Sequence, residues 1–191
     1  EEILMPPSVT KIGVNAFIGC KKLKYIKLSS SLESIGRMAF SDCYSLNKIK
    51  IPLFVKKINE YAFSNCICLN QISLPYSLSV IERCAFFNCH FTDIYLPPSI
   101  TCIQEQSFSR CQFLTQVIIP KSVEKLECNA FQGCISLTKV IILSADTIVV
   151  KDPFSNCNIK ELKCDDFQIW GINCDNLKDL TISYCKNRAK V

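Results

Sequence analysis

Glycine is scarce, at five residues in 191, and histidine and tryptophan occur once each. So few glycines leave no phosphate-binding loop, whose backbone must wrap closely around an anion. The single histidine, His90, leaves no His pair for a metal, and no Cys-x-x-Cys pair appears. Cys66-x-Cys68 is too tight for a zinc site and has no partner pair. His90 follows Cys89, but neighbours in an extended stretch point to opposite sides, so they read as a loop histidine beside a structural thiol, not as base and nucleophile. No run of about 18 apolar residues exists, so nothing here is expected to span a membrane. The chain opens on Glu1-Glu2 and not on a basic segment with an apolar run, so no leader is read. Net charge is +5, but the lysines are scattered, and nucleic acid is not the expected partner. No cofactor and no enzymatic activity are expected.

What the chain does have is a beat. Phe17/Cys20, Phe40/Cys43, Phe63/Cys66, Phe86/Cys89, Phe108/Cys111, Phe131/Cys134 and Phe154/Cys157 share one internal spacing. Successive phenylalanines lie 23, 23, 23, 22, 23 and 23 residues apart. Such a period means a repeat array, a single continuous body in which each unit touches its neighbours. Hydrophobic content of 49% with 20% charge fits a folded chain. Fourteen cysteines in a short secreted chain would suggest disulfides. Seven of them are locked to the repeat, however, and a residue at one place in every coil stacks on its counterparts. They read as a column of buried free thiols, with bridges within it as the minor alternative. Cys174 and Cys185 are left as an open pair near the C-terminal end.

Each unit divides into three steps. The Ile-x-Leu step has period two and predicts a strand, closed by a proline that lacks an N–H. These strands are Ile3–Met5, Ile26–Leu28, Ile49–Ile51, Ile72–Leu74, Ile94–Leu96, Val117–Ile119, Val140–Ile142, Leu162–Cys164 and Leu180–Ile182. One per coil in a common direction predicts a parallel sheet, about 40 Å long at ~4.8 Å per strand. The Ala-Phe-x-x-Cys-x-x-Leu step places Ala16, Cys20 and Leu23 at i, i+4 and i+7, which predicts a short helical turn on the outer side. The link between them, such as Ser8–Ile12, reads as extended. Gly13 and Gly36 are matched in other units by Asn59, Glu82, Gln104 and Glu127, so that position does not need a positive φ.

The full pattern, Leu-x-x-Ile-x-Leu-Pro-x-Ser-Val-x-x-Ile-Gly-x-x-Ala-Phe-x-x-Cys, resembles the BspA-like leucine-rich repeats over residues 3–164. The resemblance implies a right-handed solenoid of ~23-residue repeats with about eight coils. It also implies a concave parallel sheet, with short helical turns and extended segments elsewhere. Members occur in surface proteins of anaerobic bacteria and in parasitic protists, and the type protein is linked to adhesion. The resemblance thus implies a surface or secreted protein that binds host or matrix proteins. The pattern also has departures. Cys89-His90-Phe91 and Cys157-Asn158-Ile159 are each one residue short, Asp146 stands at an apolar position and Pro153 replaces an alanine. Residues 165–191 are expected to form an irregular closing coil, with Trp170 over the last apolar edge, so that 1–191 is one solenoid domain. Ile3-x-Met5-Pro6 begins in mid-unit, as in a piece of a longer array.

Partner contacts are expected on the sheet face. The outward column between the two inward side chains reads Lys27, Lys50, Ser73, Tyr95, Ile118, Ile141, Lys163, Thr181. The column two residues earlier reads Tyr25, Lys48, Gln71, Asp93, Gln116, Lys139, Glu161, Asp179. Tyr95, Ile118 and Ile141 would be exposed apolar neighbours, which suits a protein partner. The plainer reading is half-covered residues of good strand propensity, with the front lysines simply solvated. Candidate contacts are Lys27, Lys50, Tyr95, Ile118, Ile141, Tyr25, Lys48, Asp93, Gln116 and Lys139. The rival to adhesion is a cytoplasmic interaction scaffold, favoured by many unpaired thiols and by the lack of any Asn-x-Ser/Thr acceptor.

Overall fold

A computed structural model describes residues 1–144, 146–150 and 152–164, together with the backbone of 181–184. The chain winds as a parallel β-solenoid of about seven turns. Eight strands form the sheet face: β1 (Glu2–Leu4), β3 (Tyr25–Lys27), β5 (Lys48–Lys50), β7 (Gln71–Ser73), β10 (Gln116–Ile119), β12 (Lys139–Ile142), β14 (Glu161–Cys164) and β15 (Thr181–Tyr184). Seven two-residue strands form a second ladder along the flank: β2 (Lys11–Ile12), β4 (Ser34–Ile35), β6 (Lys57–Ile58), β8 (Val80–Ile81), β9 (Cys102–Ile103), β11 (Lys125–Leu126) and β13 (Ile148–Val149). The link read as extended is therefore the source of a second set of parallel pairs, such as Lys57↔Val80 and Ile58↔Ile81.

Alternation sets which side chains enter the core. In β10, Val117 and Ile119 are buried while Gln116 and Ile118 face out. Between the ladders runs a spine of phenylalanine rings. Phe17, Phe40, Phe63, Phe86, Phe108, Phe131 and Phe154 stack with centroids 5.0–5.5 Å apart and planes within 18° of parallel. At that separation the rings are offset, which keeps their negative faces from opposing one another.

The expected helical turns do not form; no helix occurs among the described residues. In their place are consecutive tight turns. Ile18 N–H donates to the Asn15 carbonyl and Cys20 N–H to the Phe17 carbonyl, both at 3.1 Å. The intervening N–H groups of Asn15, Phe17 and Gly19 instead reach the next coil, donating to the carbonyls of Arg37, Ala39 and Ser41 at 3.0, 2.8 and 2.8 Å. The backbone can alternate this way because residues two before and two after each phenylalanine take positive φ. Asn15 and Gly19, Met38 and Asp42, and Tyr61 and Asn65 are examples. Left-handed residues interrupt a helix, and side chains as large as Met38 and Tyr61 are held there against a cost of roughly 1–2 kcal/mol each. Asp42, Asn65 and Asn88 stack at one of these positions. Asn65 Nδ2 donates to Asp42 Oδ1 at 2.8 Å, and Asn88 Nδ2 to Asn65 Oδ1 at 3.1 Å.

Gly13 and Gly36 have no positive φ, as expected, but Gly36 has another constraint. A β-carbon there would lie 2.6 Å from the backbone of Gly13. Where the next coil carries Asn59 at this place, its amide nitrogen donates to the Ile35 carbonyl and the flank ladder parts between β4 and β6. In later coils the longer side chains cap backbone N–H groups of the preceding coil. Glu82 Oε2 accepts from Glu60, Gln104 Oε1 from Arg83 and Glu127 Oε2 from Glu105, each at 3.1 Å.

Two sheet expectations need correction. No strand forms at Ile94–Leu96, so the sheet face divides into β1-β3-β5-β7 and β10-β12-β14-β15. The short link Cys89-His90-Phe91 precedes this gap, but Cys157-Asn158-Ile159 is equally short and β14 still pairs. What differs is bulk. Phe91 takes the place that Leu69 and Leu114 fill in neighbouring units, and its ring wedges edge-on between Phe86 and Phe108 at 6.1 and 6.2 Å. A shortened link that also carries a larger ring draws the following backbone out of register. The second correction concerns Lys163, which pairs with Ser183; Thr181, expected beside it, pairs with Glu161. Among the described residues the coils number about seven; the expected closing coil falls largely outside them, as do Trp170, Cys174, Asp179 and Cys185.

Candidate interaction face

The repeat cysteines face inward and do no chemistry that the geometry supports. From Cys43 onward each thiol donates to the phenylalanine carbonyl of the preceding coil: Cys43 to Phe17, Cys66 to Phe40 and Cys89 to Phe63 at 3.1 Å, Cys111 to Phe86 and Cys134 to Phe108 at 3.2 Å. Burial pushes the Cys43 thiol up to about 12, and drives Cys66 and Cys89 well above the ordinary thiol range. Protonated and enclosed, these sulfurs are poor nucleophiles and poor metal ligands. Cys20, Cys43, Cys66, Cys89, Cys111, Cys134 and Cys157 are all free thiols. Cys89 and His90 are not brought together. The thiol is directed into the core, while the imidazole packs edge-on against Phe113 at 4.8 Å, where burial lowers its basicity. Among the described residues no three His, Cys, Asp or Glu side chains cluster as metal ligands. Nor is any helix among the described residues long and apolar enough to cross a membrane.

The outward side chains of the sheet face are where the units differ. Lys27, Lys48 and Lys50 are exposed at the front, with Lys48 Nζ 5.1 Å from the ring centre of half-buried Tyr25. Gln71, Asp93, Tyr95, Gln116 and Ile118 follow, all exposed, with Tyr95 at 63% and Ile118 at 47% of full accessibility. Ile94 and Leu96 stay buried and Tyr95 stays outward even though their backbone has left the ladder. Ile141 is half-buried, and Lys139 is tied to Glu161 at 3.3 Å, as is Lys163 at 2.8 Å. The far end of the face is thus ion-paired within itself, whereas the front is not.

Three shallow clefts join along this face. One, of about 540 Å³, is lined by Tyr25, Lys27, Lys50, Leu53 and Tyr76. A second, of about 590 Å³, shares Tyr25 and Lys50 with it and runs past Lys48 and Gln71 to Asp93 and Tyr95. A third, also about 590 Å³, continues from Asp93 and Tyr95 to Gln116 and Ile118. The groove brings together eight of the ten predicted contacts, Lys27, Lys50, Tyr95, Ile118, Tyr25, Lys48, Asp93 and Gln116. It omits Ile141 and Lys139. Leu53 and Tyr76 were missed by the sequence reading. Both are exposed, at 60% and 68%, and Tyr76 packs edge-on to Tyr95 at 6.3 Å. Their signal was available: they follow the strand-ending prolines at a place where other units carry Ser30, Pro98 and Lys121.

A model of the BspA-type leucine-rich repeat region matches residues 1–115, 45–160 and 101–188. The chain belongs to the BspA-type leucine-rich repeat family. Solved relatives carry the same winding. A leucine-rich repeat protein of T. pallidum is 27% identical, with a TM-score of 0.71 over 85% of this chain and 72% of its own. One from Bacteroides ovatus is 25% identical, with a TM-score of 0.65 over 96% of this chain and 63% of its own length. A leucine-rich cell surface protein of Faecalibacterium prausnitzii, at 20% identity and a TM-score of 0.54, shares the fold. No protein of curated function matches. The BspA-type coil thus supplies the frame on which the groove side chains stand.

Proposed function

We propose that this chain is a non-enzymatic protein-binding module of surface adhesion type, which docks a host or matrix protein in the groove of its sheet face. One observation carries the reading: Tyr95, Ile118, Tyr76 and Leu53 stand exposed along one continuous groove, whereas other exposed apolar residues, such as Val14, Ile135 and Ile148, lie outside it. Contiguous exposed apolar surface rimmed by polar residues is the usual mark of a protein contact. Membership of the family, and the surface description of the F. prausnitzii neighbour, support an exported role. The reading is tested by binding to a panel of purified matrix proteins. Ile118→Asp with Tyr95→Asp should reduce binding at least tenfold, while Ile135→Asp, on an exposed turn, should not. Binding that survives the groove double variant with the fold intact removes this face.

The free thiols favour a second reading, an intracellular scaffold in a reducing compartment. The buried column discriminates poorly, because enclosed protonated thiols resist oxidation in either place. Exposed Cys68 and half-buried Cys102 and Cys128 are the informative ones. Quantifying them as reduced in protein from its native source supports the scaffold; finding them oxidised or capped supports export.

A further inference from the structure

We propose that the partner segment held in this groove is an acidic peptide with apolar residues among its carboxylates, extended along the solenoid axis. This rests on the groove reading above and specifies its ligand. Lys27, Lys48 and Lys50 stand together on adjacent strands, and none of the ion pairs formed on this face involves them. Of the other carboxylates, exposed Glu2 lies in register with Tyr25 on the same face, and several more are already engaged. Glu60 and Glu105 hold Arg37 and Arg83 along the flank, and Glu161 holds Lys139 and Lys163 at the far end. Lys27, Lys48 and Lys50 outnumber Glu2 there, so the front of the groove stays net cationic, and opposite charge is what it attracts.

The kind of anion follows from what surrounds the lysines. Leu53, Pro52, Pro75 and Tyr76 line the same cleft as Lys27 and Lys50. A polyanion of uniform charge would leave those apolar groups uncovered. Asp93 projects into the next cleft, which a phosphate or sulfate chain would have to pass at close range. No arginine lines any of the three clefts, so the planar fork that grips phosphate in two places is missing. Lysines as point charges beside apolar hollows fit carboxylates spaced by apolar side chains. From Lys27 to Ile118 the groove crosses four coil steps, roughly 19 Å at ~4.8 Å per step, which about six extended residues would span. Acidic residues would lie over Lys27, Lys48 and Lys50, and apolar ones over Tyr76, Tyr95 and Ile118.

The test uses defined probes on the whole chain: a random glutamate–tyrosine copolymer, a lysine–tyrosine copolymer, heparin, and phosphatidylserine vesicles. The glutamate–tyrosine copolymer should bind, weaken with added salt, and lose at least tenfold in affinity with Lys27→Glu/Lys50→Glu and severalfold with Tyr76→Ser. Lys11→Glu on the flank should leave it within twofold. Amide shifts in an NMR titration should map to residues 25–27, 48–53, 71–76, 93–95 and 116–118. Failure of the copolymer to bind overturns the proposal. So does tighter binding of heparin or vesicles, or indifference to the lysine variants. If matrix-protein binding remains sensitive to Ile118→Asp while the copolymer fails, the groove stands and only its acidic ligand is rejected.

Discussion

At the scale of single residues, the recurring cysteine has a specific reason to be cysteine. Alanine at Cys66 would leave the Phe40 carbonyl without one of its donors, and serine would place a more strongly hydrated hydroxyl in an apolar column. A thiol is small, weakly polar and able to donate once. It also carries a penalty at high pH. Burial raises Cys43, Cys66, Cys89 and Cys111 above the 9.0 of an unperturbed thiol. Contact with the Cys111 thiol does the same for Cys134. Above that pH the unfolded chain releases protons that the folded chain retains. Stability is therefore complete below about pH 9 and falls as pH climbs towards the folded values, by up to ~1.4 kcal/mol per thiol per pH unit. Urea unfolding followed by circular dichroism between pH 7.5 and 10.5 should show this loss. The slope should become shallower in Cys66→Ala/Cys89→Ala, and an unchanged slope would assign the effect to other groups.

At the scale of elements, legibility depended on whether a feature repeats through side chains or through backbone. The phenylalanine beat, the buried thiol column and the sheet strands were readable because alternation and spacing are side-chain patterns. The turns were not. Ala16, Cys20 and Leu23 have helical spacing, and nothing in Met38 or Tyr61 announces a left-handed conformation that non-glycine residues rarely take. The missing strand at Ile94–Leu96 was half-legible. The lost residue at Cys89-His90-Phe91 was visible, but its effect depends on where the Phe91 ring is driven. Most of the groove was legible as outward columns, whereas Leu53 and Tyr76 lie beyond the strands and escaped that scheme. Inserting a residue after His90 together with Phe91→Leu should restore the regular unit. Hydrogen exchange at the Ile94 and Leu96 amides should then slow at least tenfold; unchanged exchange would show that the gap has another origin.

At the scale of the whole molecule, the solenoid is held by contacts between adjacent coils, so damage should stay near its source. Phe63 is fully buried between Phe40 and Phe86. Phe63→Ala should cost about 3–5 kcal/mol. Protection from hydrogen exchange should fall most in residues 36–89 and least in 116–142. Equal loss along the chain would mean that the coils unfold as one unit. The two interruptions in hydrogen bonding bear on how such an object fails. The flank ladder parts between β4 and β6, where the sheet face is still joined by Tyr25 and Lys48. The sheet face parts between β7 and β10, where β8, β9 and β11 remain joined along the flank. The joints are staggered, as in bonded masonry. A crack opened by pulling the ends apart meets intact pairing on one side wherever it finds a seam on the other, so the rod has local compliance without a plane of cleavage.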